Sequence, residues 1–184
     1  MANNIYCGVD VGGTKILAAL VDVRGKVLVR KKCATPQKVS SQRIYNEIRN
    51  HLQALFEEND VDVDELCGIG MGIPGIVMPN QTDILRTPNI SLAKFPLAQR
   101  LSKYFGVRVI LGNDVNLGLL GEKWLGAGQQ SQNIIGLFPG TGVGGGIILD
   151  GKLLCGEQGV AGELGHVIID QNSSQMSAGL PGTI

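Results

Sequence analysis

The sequence lacks several features that would point to particular classes of protein. Its 16 basic and 16 acidic residues give a formal net charge of zero, so electrostatic binding to nucleic acid is not expected. No apolar run is long enough to cross a bilayer, and the polar N-terminus has no signal-peptide core. The composition does not indicate disorder, collagen or a coiled coil. The 184 residues suffice for roughly one large domain or two small ones.

The sequence has four cysteines, and their spacing shows no paired pattern. They are Cys7, Cys33, Cys67 and Cys155. Three of them lie in or beside apolar runs that are typical of strands. We therefore predict reduced thiols in the core of a cytoplasmic protein.

Glycine is abundant, with 27 residues, and many of the glycines cluster in turns. The stretch from Gly8 to Lys15 has glycines at P-loop spacing, but its final pair is Thr-Lys instead of Lys-Thr. The residues that follow, 16–23, are typical of a strand, whereas a P-loop leads into a helix. Two interpretations stay open. The stretch is either a hairpin turn whose amides bind phosphate, with Asp10 holding Mg²⁺ through water, or an ordinary hairpin.

A second glycine-rich stretch occupies residues 140–146. It matches the dinucleotide fingerprint G-x-G-x-x-G, but the match is weak because a strand, an Asp-Gly turn and another strand follow. The chain thus contains two glycine-rich hairpin turns, one near each end. Two such turns facing each other could bind the phosphates of one nucleotide.

The pattern along the chain predicts three strands, then a helix, a strand and a helix, and later the start of a second strand-strand unit. Ser41 is a candidate cap for the first helix, Pro96 suits the first turn of the second, and Gly118 and Gly121 in the third suggest close packing. Val167–Ile169 is typical of a strand. The predicted strands cover residues 5–11, 16–22, 27–31, 66–71, 76–79, 107–111, 133–138 and 147–149, and the predicted helices cover 41–58, 96–106 and 114–125.

Six short motifs follow one another along the chain. They are Asp-Val-Gly-Gly-Thr-Lys (10–15), Gly-Ile-Pro-Gly (72–75), Thr-Pro-Asn (87–89), Gly-Asn-Asp-Val-Asn (112–116), Gly-Thr-Gly-Val-Gly-Gly-Gly (140–146) and Gly-Glu-Leu-Gly-His (162–166). With these motifs in this order, the chain from Tyr6 to Ile184 resembles the ROK family of sugar kinases and sugar-responsive repressors. The resemblance implies an α/β fold of the actin-like ATPase (ribonuclease H-like) sugar-kinase type. It further implies an N-terminal lobe at residues 1–112 and the start of a C-terminal lobe at 113–184.

The resemblance also implies roles for particular residues. Asp114 resembles the base that accepts the proton of the sugar hydroxyl, although an aspartate there could equally cap a helix. The residues implied to bind the sugar are Gly75, Asn89, Asn113, Asp114, Glu163 and His166. Turn geometry is the alternative for the two asparagines, and a structural role is the alternative for His166.

The implied cofactors are ATP and Mg²⁺. Asp10 resembles the residue that positions Mg²⁺, and Lys15 could instead be a solvated turn charge. The implied ATP-binding and phosphate-binding residues are Asp10, Gly12, Gly13, Thr14, Lys15, Gly140, Thr141 and Gly142.

One motif departs from the family. Many members continue into a cysteine motif that binds a structural zinc together with the histidine. Here Met176, Ala178 and Thr183 occupy the cysteine positions. Because structural zinc needs about four such ligands, we predict that no zinc is bound.

The implied activity is ATP-dependent phosphorylation of a hexose hydroxyl. The alternatives are an N-acetylhexosamine kinase and a catalytically impaired sugar-binding fragment. A repressor is not expected, because the nine residues before Asp10 cannot form a DNA-binding motif. The chain ends before the rest of the second lobe, so we expect it to bind nucleotide poorly by itself. The expected partners are a hexose and ATP, with no nucleic acid and no membrane, and a homodimer is an option.

Overall fold

The computed structural model describes residues 5–140, 142–177 and 180–183 of the chain. Three strands and a helix begin the chain, and groups of strands separated by helices follow, as the sequence predicts. The strands are β1 (Ile5–Val11), β2 (Lys15–Asp22), β3 (Val27–Ala34), β4 (Leu66–Ile73), β5 (Ile76–Val77), β6 (Ile84–Arg86), β7 (Val109–Asn113), β8 (Ile134–Pro139), β9 (Val143–Leu149), β10 (Lys152–Leu153), β11 (Met176–Ser177) and β12 (Leu180–Pro181). The helices are α1 (Ser41–Glu57), α2 (Leu97–Phe105) and α3 (Asp114–Leu125). Short 3-10 helices lie at Val63–Glu65 and Leu164–His166.

The chain divides into two units, Met1–Asp114 and Val115–Ile184. The first unit contains a five-stranded sheet in the order β3-β2-β1-β4-β7. The pairs β3–β2 and β2–β1 are antiparallel, whereas β1–β4 and β4–β7 are parallel. Val11 pairs with Ile16, so the glycine-rich turn joins two antiparallel strands. The prediction of a strand after this turn, in place of the helix of a P-loop, is confirmed.

The core of the first unit lies between the sheet and helices α1 and α2. Ile48 and Leu52 on α1 and Leu101 on α2 are fully buried. Burial of each such side chain contributes about 1.5–3 kcal/mol. The cap of α1 differs from the prediction: Ser40, one residue before Ser41, accepts a hydrogen bond from the Arg43 amide through its side chain. Helix α2 begins after Pro96 and ends at Gly106, whose φ of 72° is left-handed.

The second unit contains a three-stranded sheet in the order β10-β9-β8, with α3 packed against it. The prediction of close packing at the α3 glycines is half right. A Cβ on Gly118 would lie 3.1 Å from the Phe138 ring, whereas a Cβ on Gly121 would meet nothing within 4 Å. The predicted strand at Val167–Ile169 is wrong. Among the described residues, this segment forms only an isolated bridge between Ile168 and Thr183.

The cysteines are less buried than the sequence suggested. Cys7 is buried, and burial raises the pKa of its thiol to about 12. Cys33 and Cys155 are half-buried, and Cys67 is exposed because it lies on the open face of β4. The four cysteines all lie within the described residues and form no disulfide. None of the described helices has the length and apolar character needed to cross a membrane.

Candidate active site

The carboxyl ends of three parallel strands bring the predicted catalytic residues of the first unit to one edge of the sheet. On β1, Asp10 pairs with Gly72 of β4, and Gly72 in turn pairs with Gly112 of β7. Asn113 and Asp114 follow Gly112 directly. Because parallel strands end at the same edge, Asp10 and Asp114 lie on the same side of the unit, with one strand between them.

Three charged side chains interact at this edge. The pKa of Asp10 is raised above its ordinary value, first by partial burial of its carboxylate and second by the negative charge of Asp114. The ammonium group of Lys15 acts in the opposite direction and lowers this pKa. Two carboxylates that repel each other suit a divalent cation such as Mg²⁺, because the cation prefers oxygen ligands and relieves the repulsion. The residues present therefore fit the predicted metal.

In the turn that follows Asp10, one backbone amide is hydrogen-bonded within the turn and the next two are not. The Gly12 amide donates to the Lys15 carbonyl oxygen at 2.8 Å and closes the turn. A Cβ on Gly12 would lie 3.0 Å from this same oxygen, which is too close for an ordinary contact. In the part of the chain that the structure describes, the amides of Gly13 and Thr14 bond to no other protein group. Two successive amides of this kind can bind an anion such as a phosphate.

Two residues that support this turn were not identified from the sequence. The Thr35 hydroxyl donates to the Gly12 carbonyl oxygen at 2.7 Å, and the Gln37 side-chain amide donates to the Gly13 carbonyl oxygen at 2.6 Å. Thr35 is only 4% exposed. The available signal was its position at the end of a strand that pairs with β2, since a polar side chain buried there needs a hydrogen-bond partner.

The loop that carries Asn89 lies against the same turn. A Cβ on Gly13 would lie 3.5 Å from the Asn89 Cβ, which is ordinary van der Waals contact. Thr87 holds this loop, because its hydroxyl donates to the Ile90 carbonyl oxygen and accepts from the Leu92 amide at 3.4 Å. The candidate sugar ligand Asn89 and the candidate phosphate turn are therefore neighbours.

Asn113 is tied to Gly75, another predicted sugar-site residue. The Asn113 side-chain amide donates to the Gly75 carbonyl oxygen at 2.9 Å. Gly75 has a φ of 106°, and a Cβ there would overlap the Arg86 carbonyl oxygen. Only glycine fits this backbone, so Gly75 fixes the position of Asn113 through main-chain geometry. Asp114 is the first residue of α3, directly after β7.

The second unit carries the other glycine-rich turn, between β8 and β9. Pro139 pairs with Val143, and the Gly140 amide donates to the Gly142 carbonyl oxygen at 2.7 Å. Thr141, the third predicted residue of this turn, lies outside the described residues. Glycines on both sides allow the segment at 162–165 to lie directly on β9. A Cβ on Gly145 of β9 would lie 2.5 Å from the Gly162 carbonyl oxygen, and a Cβ on Gly165 would overlap the Val143 carbonyl oxygen.

This segment holds the predicted pair Glu163 and His166. The His166 amide donates to the Glu163 carbonyl oxygen at 3.1 Å, which forms one turn of 3-10 helix. The His166 Nε2 atom lies 4.0 Å from a Glu163 carboxylate oxygen, and each side chain is about half exposed. Both side chains are therefore close together and accessible to a ligand.

Within the described residues, no three His, Cys, Asp or Glu side chains form a group that could hold a metal ion. Ala178 occupies a position where many family members have a zinc-binding cysteine, and it lies outside those residues. Thr183 occupies another such position and is buried. The absence of zinc stays a prediction.

Comparisons with a family model, with known proteins and with solved structures point to the same family. A model of the ROK family matches residues 6–182. A glucokinase from Halalkalibacterium halodurans is 34% identical over 185 residues, which span all of this chain and 56% of that protein. The crystal structure of a ROK family glucokinase from Streptomyces griseus in complex with glucose and AMPPNP aligns with this chain with a TM-score of 0.82 and 35% identity. The alignment covers 98% of this chain and 55% of the glucokinase chain.

The crystal structure of a ROK family transcriptional regulator, a homologue of the E. coli MLC protein, aligns with this chain with a TM-score of 0.88 and 26% identity. That alignment covers 98% of this chain and 46% of the regulator chain. The chain thus spans about half the length of the relatives it matches. Its architecture is that of the actin-like sugar-kinase fold. With a family model that covers nearly all of its residues, the chain belongs to the ROK family.

Proposed function

We propose that the protein containing this chain transfers a phosphoryl group from ATP to a hydroxyl group of a hexose, with Asp114 as general base. The observation that carries this proposal is the pairing of Asp10 and Asp114 at one edge of the sheet, close enough for the charge of Asp114 to raise the pKa of Asp10. The similarity to a glucokinase that binds glucose and AMPPNP supports the choice of substrates.

Phosphoryl transfer to an alcohol requires a group that accepts the hydroxyl proton and groups that position both reactants. Asp114 would accept the proton. The side chains of Asn89 and Asn113 would bind sugar hydroxyls, and Gly75 would hold Asn113 in place through their hydrogen bond. Glu163 and His166 would contact further hydroxyls of the sugar ring.

The phosphate donor would be bound by the two glycine-rich turns, one of which has the unbonded amides of Gly13 and Thr14. Lys15 would add a positive charge, and Asp10 would hold Mg²⁺ through water. When bound, Mg²⁺ neutralises phosphate charge and orients the transferred group. Gly140, Thr141 and Gly142 would form the second phosphate contact.

The test is a coupled kinase assay of the protein containing this chain, with glucose, mannose, fructose, allose and N-acetylhexosamines. The variant Asp114→Asn keeps the shape of the side chain but cannot accept a proton. We expect kcat to fall by roughly 10²–10⁴-fold, the usual contribution of a general base. The control is Asp60→Asn, an exposed residue with a φ of 52° that asparagine also tolerates.

A wild-type rate in Asp114→Asn would overturn the role of Asp114. If the wild-type protein binds a sugar but transfers phosphate to none, the protein is a sugar-binding member of the family and not a kinase. If an N-acetylhexosamine gives the highest kcat/KM, the substrate is the alternative already named. An unpaired buried polar group costs about 1–3 kcal/mol, which is enough to separate these sugars.

A further inference from the structure

The carbonyl groups of the first glycine-rich turn are bound by one short segment that follows β3. The Thr35 hydroxyl donates to Gly12, the Gln37 side-chain amide donates to Gly13, and the Thr35 backbone amide donates to Thr14 at 3.0 Å. The Gln37 amide also donates to the Thr35 carbonyl oxygen at 2.9 Å, so it bridges the turn and the segment. Three successive carbonyls of the turn are therefore held from one side.

The geometry of the peptide bond links the direction of each carbonyl group to the direction of the next amide group. In a trans peptide, the C=O of one residue and the N–H of the next point in opposite directions. A hydrogen bond that fixes the Gly12 carbonyl therefore directs the Gly13 amide away from Thr35. In the same way, the bond from Gln37 to the Gly13 carbonyl directs the Thr14 amide away from the segment. These are the two amides that have no partner in the described part of the chain.

We propose that Thr35 and Gln37 are positioning residues that aim the amides of Gly13 and Thr14 at an anionic group of the phosphate donor. The inference rests on the proposed function and adds two residues outside the six motifs. Donation to a carbonyl also polarises its peptide group, which makes the N–H of that peptide a stronger donor. Thr35 and Gln37 thus act on the donor through the turn, without touching it.

The two residues differ in their surroundings, and this difference ranks their effects. Thr35 is buried, so water cannot replace its hydroxyl when it is removed. Gln37 is exposed, so water can take over part of its role at the Gly13 carbonyl. Loss of the Thr35 hydroxyl should therefore have the larger effect.

The experiment compares Thr35→Val, Thr35→Ser and Gln37→Met in the protein containing this chain. The probes are AMPPNP and the preferred sugar, with dissociation constants from calorimetry and KM values from the kinase assay. In Thr35→Val we expect the constants for AMPPNP and ATP to rise roughly tenfold, the loss of about one hydrogen bond, while those for the sugar change less than about twofold. Thr35→Ser keeps the hydroxyl and should restore nucleotide binding. Gln37→Met should have a smaller effect than Thr35→Val.

The control is Gln53→Met on α1, which removes two hydrogen bonds, one to Glu57 and one from the Tyr104 hydroxyl, and should change the binding of neither ligand. Equal nucleotide binding in wild type, Thr35→Val and Gln37→Met would overturn the inference while the proposed function stands. A parallel loss of sugar and nucleotide affinity together with a lower Tm would also overturn it, because it would indicate a general structural role. Failure of the wild-type protein both to bind AMPPNP and to transfer phosphate would instead overturn the proposed function, and this inference with it.

Discussion

The turn at residues 12–15 and the turn at residues 140–142 each connect two antiparallel strands, but they differ in the structure that supports them. The first turn extends from the middle of a five-stranded sheet, beside strands whose inward side chains are buried. The second extends from a three-stranded sheet. Among the residues after Asp114 whose side-chain burial the structure describes, Leu119 and Ile148 are the only hydrophobic side chains that are fully buried.

The outer face of the smaller sheet carries apolar side chains in contact with solvent. Ile135 is 71% exposed, Leu137 56% and Leu149 50%. Apolar burial is the main favourable contribution to folding, so the first unit should supply most of the stability of the chain. We therefore expect the first turn to be more rigid than the second, because a larger buried core supports it.

Hydrogen exchange should give the largest contrast between the units. Ile69 on β4 and Ile148 on β9 both belong to central strands and are both buried, so exposure alone does not separate them. We expect the Ile69 amide to exchange at least about 1,000-fold more slowly, because it opens only when the larger core unfolds. The measurement is native-state exchange by NMR or mass spectrometry. Equal rates would mean that the two units unfold together and would remove the contrast.

A matched pair of leucine substitutions tests the same contrast through stability. Leu52 on α1 is fully buried, and Leu52→Ala should lower the free energy of unfolding by about 2–5 kcal/mol. Leu137 on β8 is mostly exposed, and Leu137→Ala should change it by no more than about 0.5 kcal/mol. Urea unfolding of both variants measures the difference. A large loss in Leu137→Ala would show that this face is covered in solution.

Two glycines test how tightly the segment with Glu163 and His166 is held within the second unit. Gly165→Ala should lower the stability of this unit by about 1–3 kcal/mol, because the new methyl group would overlap the backbone of Val143. Gly121→Ala in α3 has open space and should raise it by about 0.5–1 kcal/mol. Thermal unfolding of the two variants should therefore shift in opposite directions. If both variants shift in the same direction, the contact between this segment and β9 is incorrect.

The smallest effect concerns the charge of Asp10. Its pKa is raised by burial and by Asp114, so the folded state binds the proton more tightly than the unfolded state does. Stability is therefore unaffected below the ordinary pKa of aspartate, near 3.9, and falls as the pH rises through the raised value. Because the Asp10 side chain is only partly buried, solvent screens its charge, and the loss should be less than about 1 kcal/mol.

The variant Asp10→Asn should show no such decrease, and NMR titration of Asp114→Asn should find the Asp10 pKa closer to its ordinary value. An unchanged pKa in Asp114→Asn would mean that the two carboxylates do not interact, and would remove the observation that carries the proposed function.

Much of the first unit could be predicted from the sequence because its signals are local. Apolar runs and turn residues located the first three strands. The errors arose where a tertiary contact decides the outcome. At Val167–Ile169 the apolar residues favoured a strand, but the segment has a single bridge in the described residues. Ser40 and Ser41 are both good caps, and nothing local in the sequence distinguishes them.

The positions of some candidate site residues could also be predicted from the sequence. Asp10 lies near the end of one predicted strand, and Asn113 and Asp114 follow another, so their positions at strand ends could be inferred. That these strands are parallel and separated only by β4 could not be inferred from their patterns alone. Thr35 and Gln37 were missed because their contacts are to backbone carbonyls more than twenty residues away, and such contacts leave no periodic signal.

The hydrogen bond between Asn113 and Gly75 has a consequence for protein engineering. The chain between β4 and α2 contains Gly75 and Asn89, while Asp10 lies on β1 and Asp114 directly follows β7, both outside this segment. Under the proposed function, a library that varies this segment but retains Gly75 would change the groups offered to a sugar and leave the acidic pair in place. Such a library would then alter sugar preference without changing the groups proposed for the reaction.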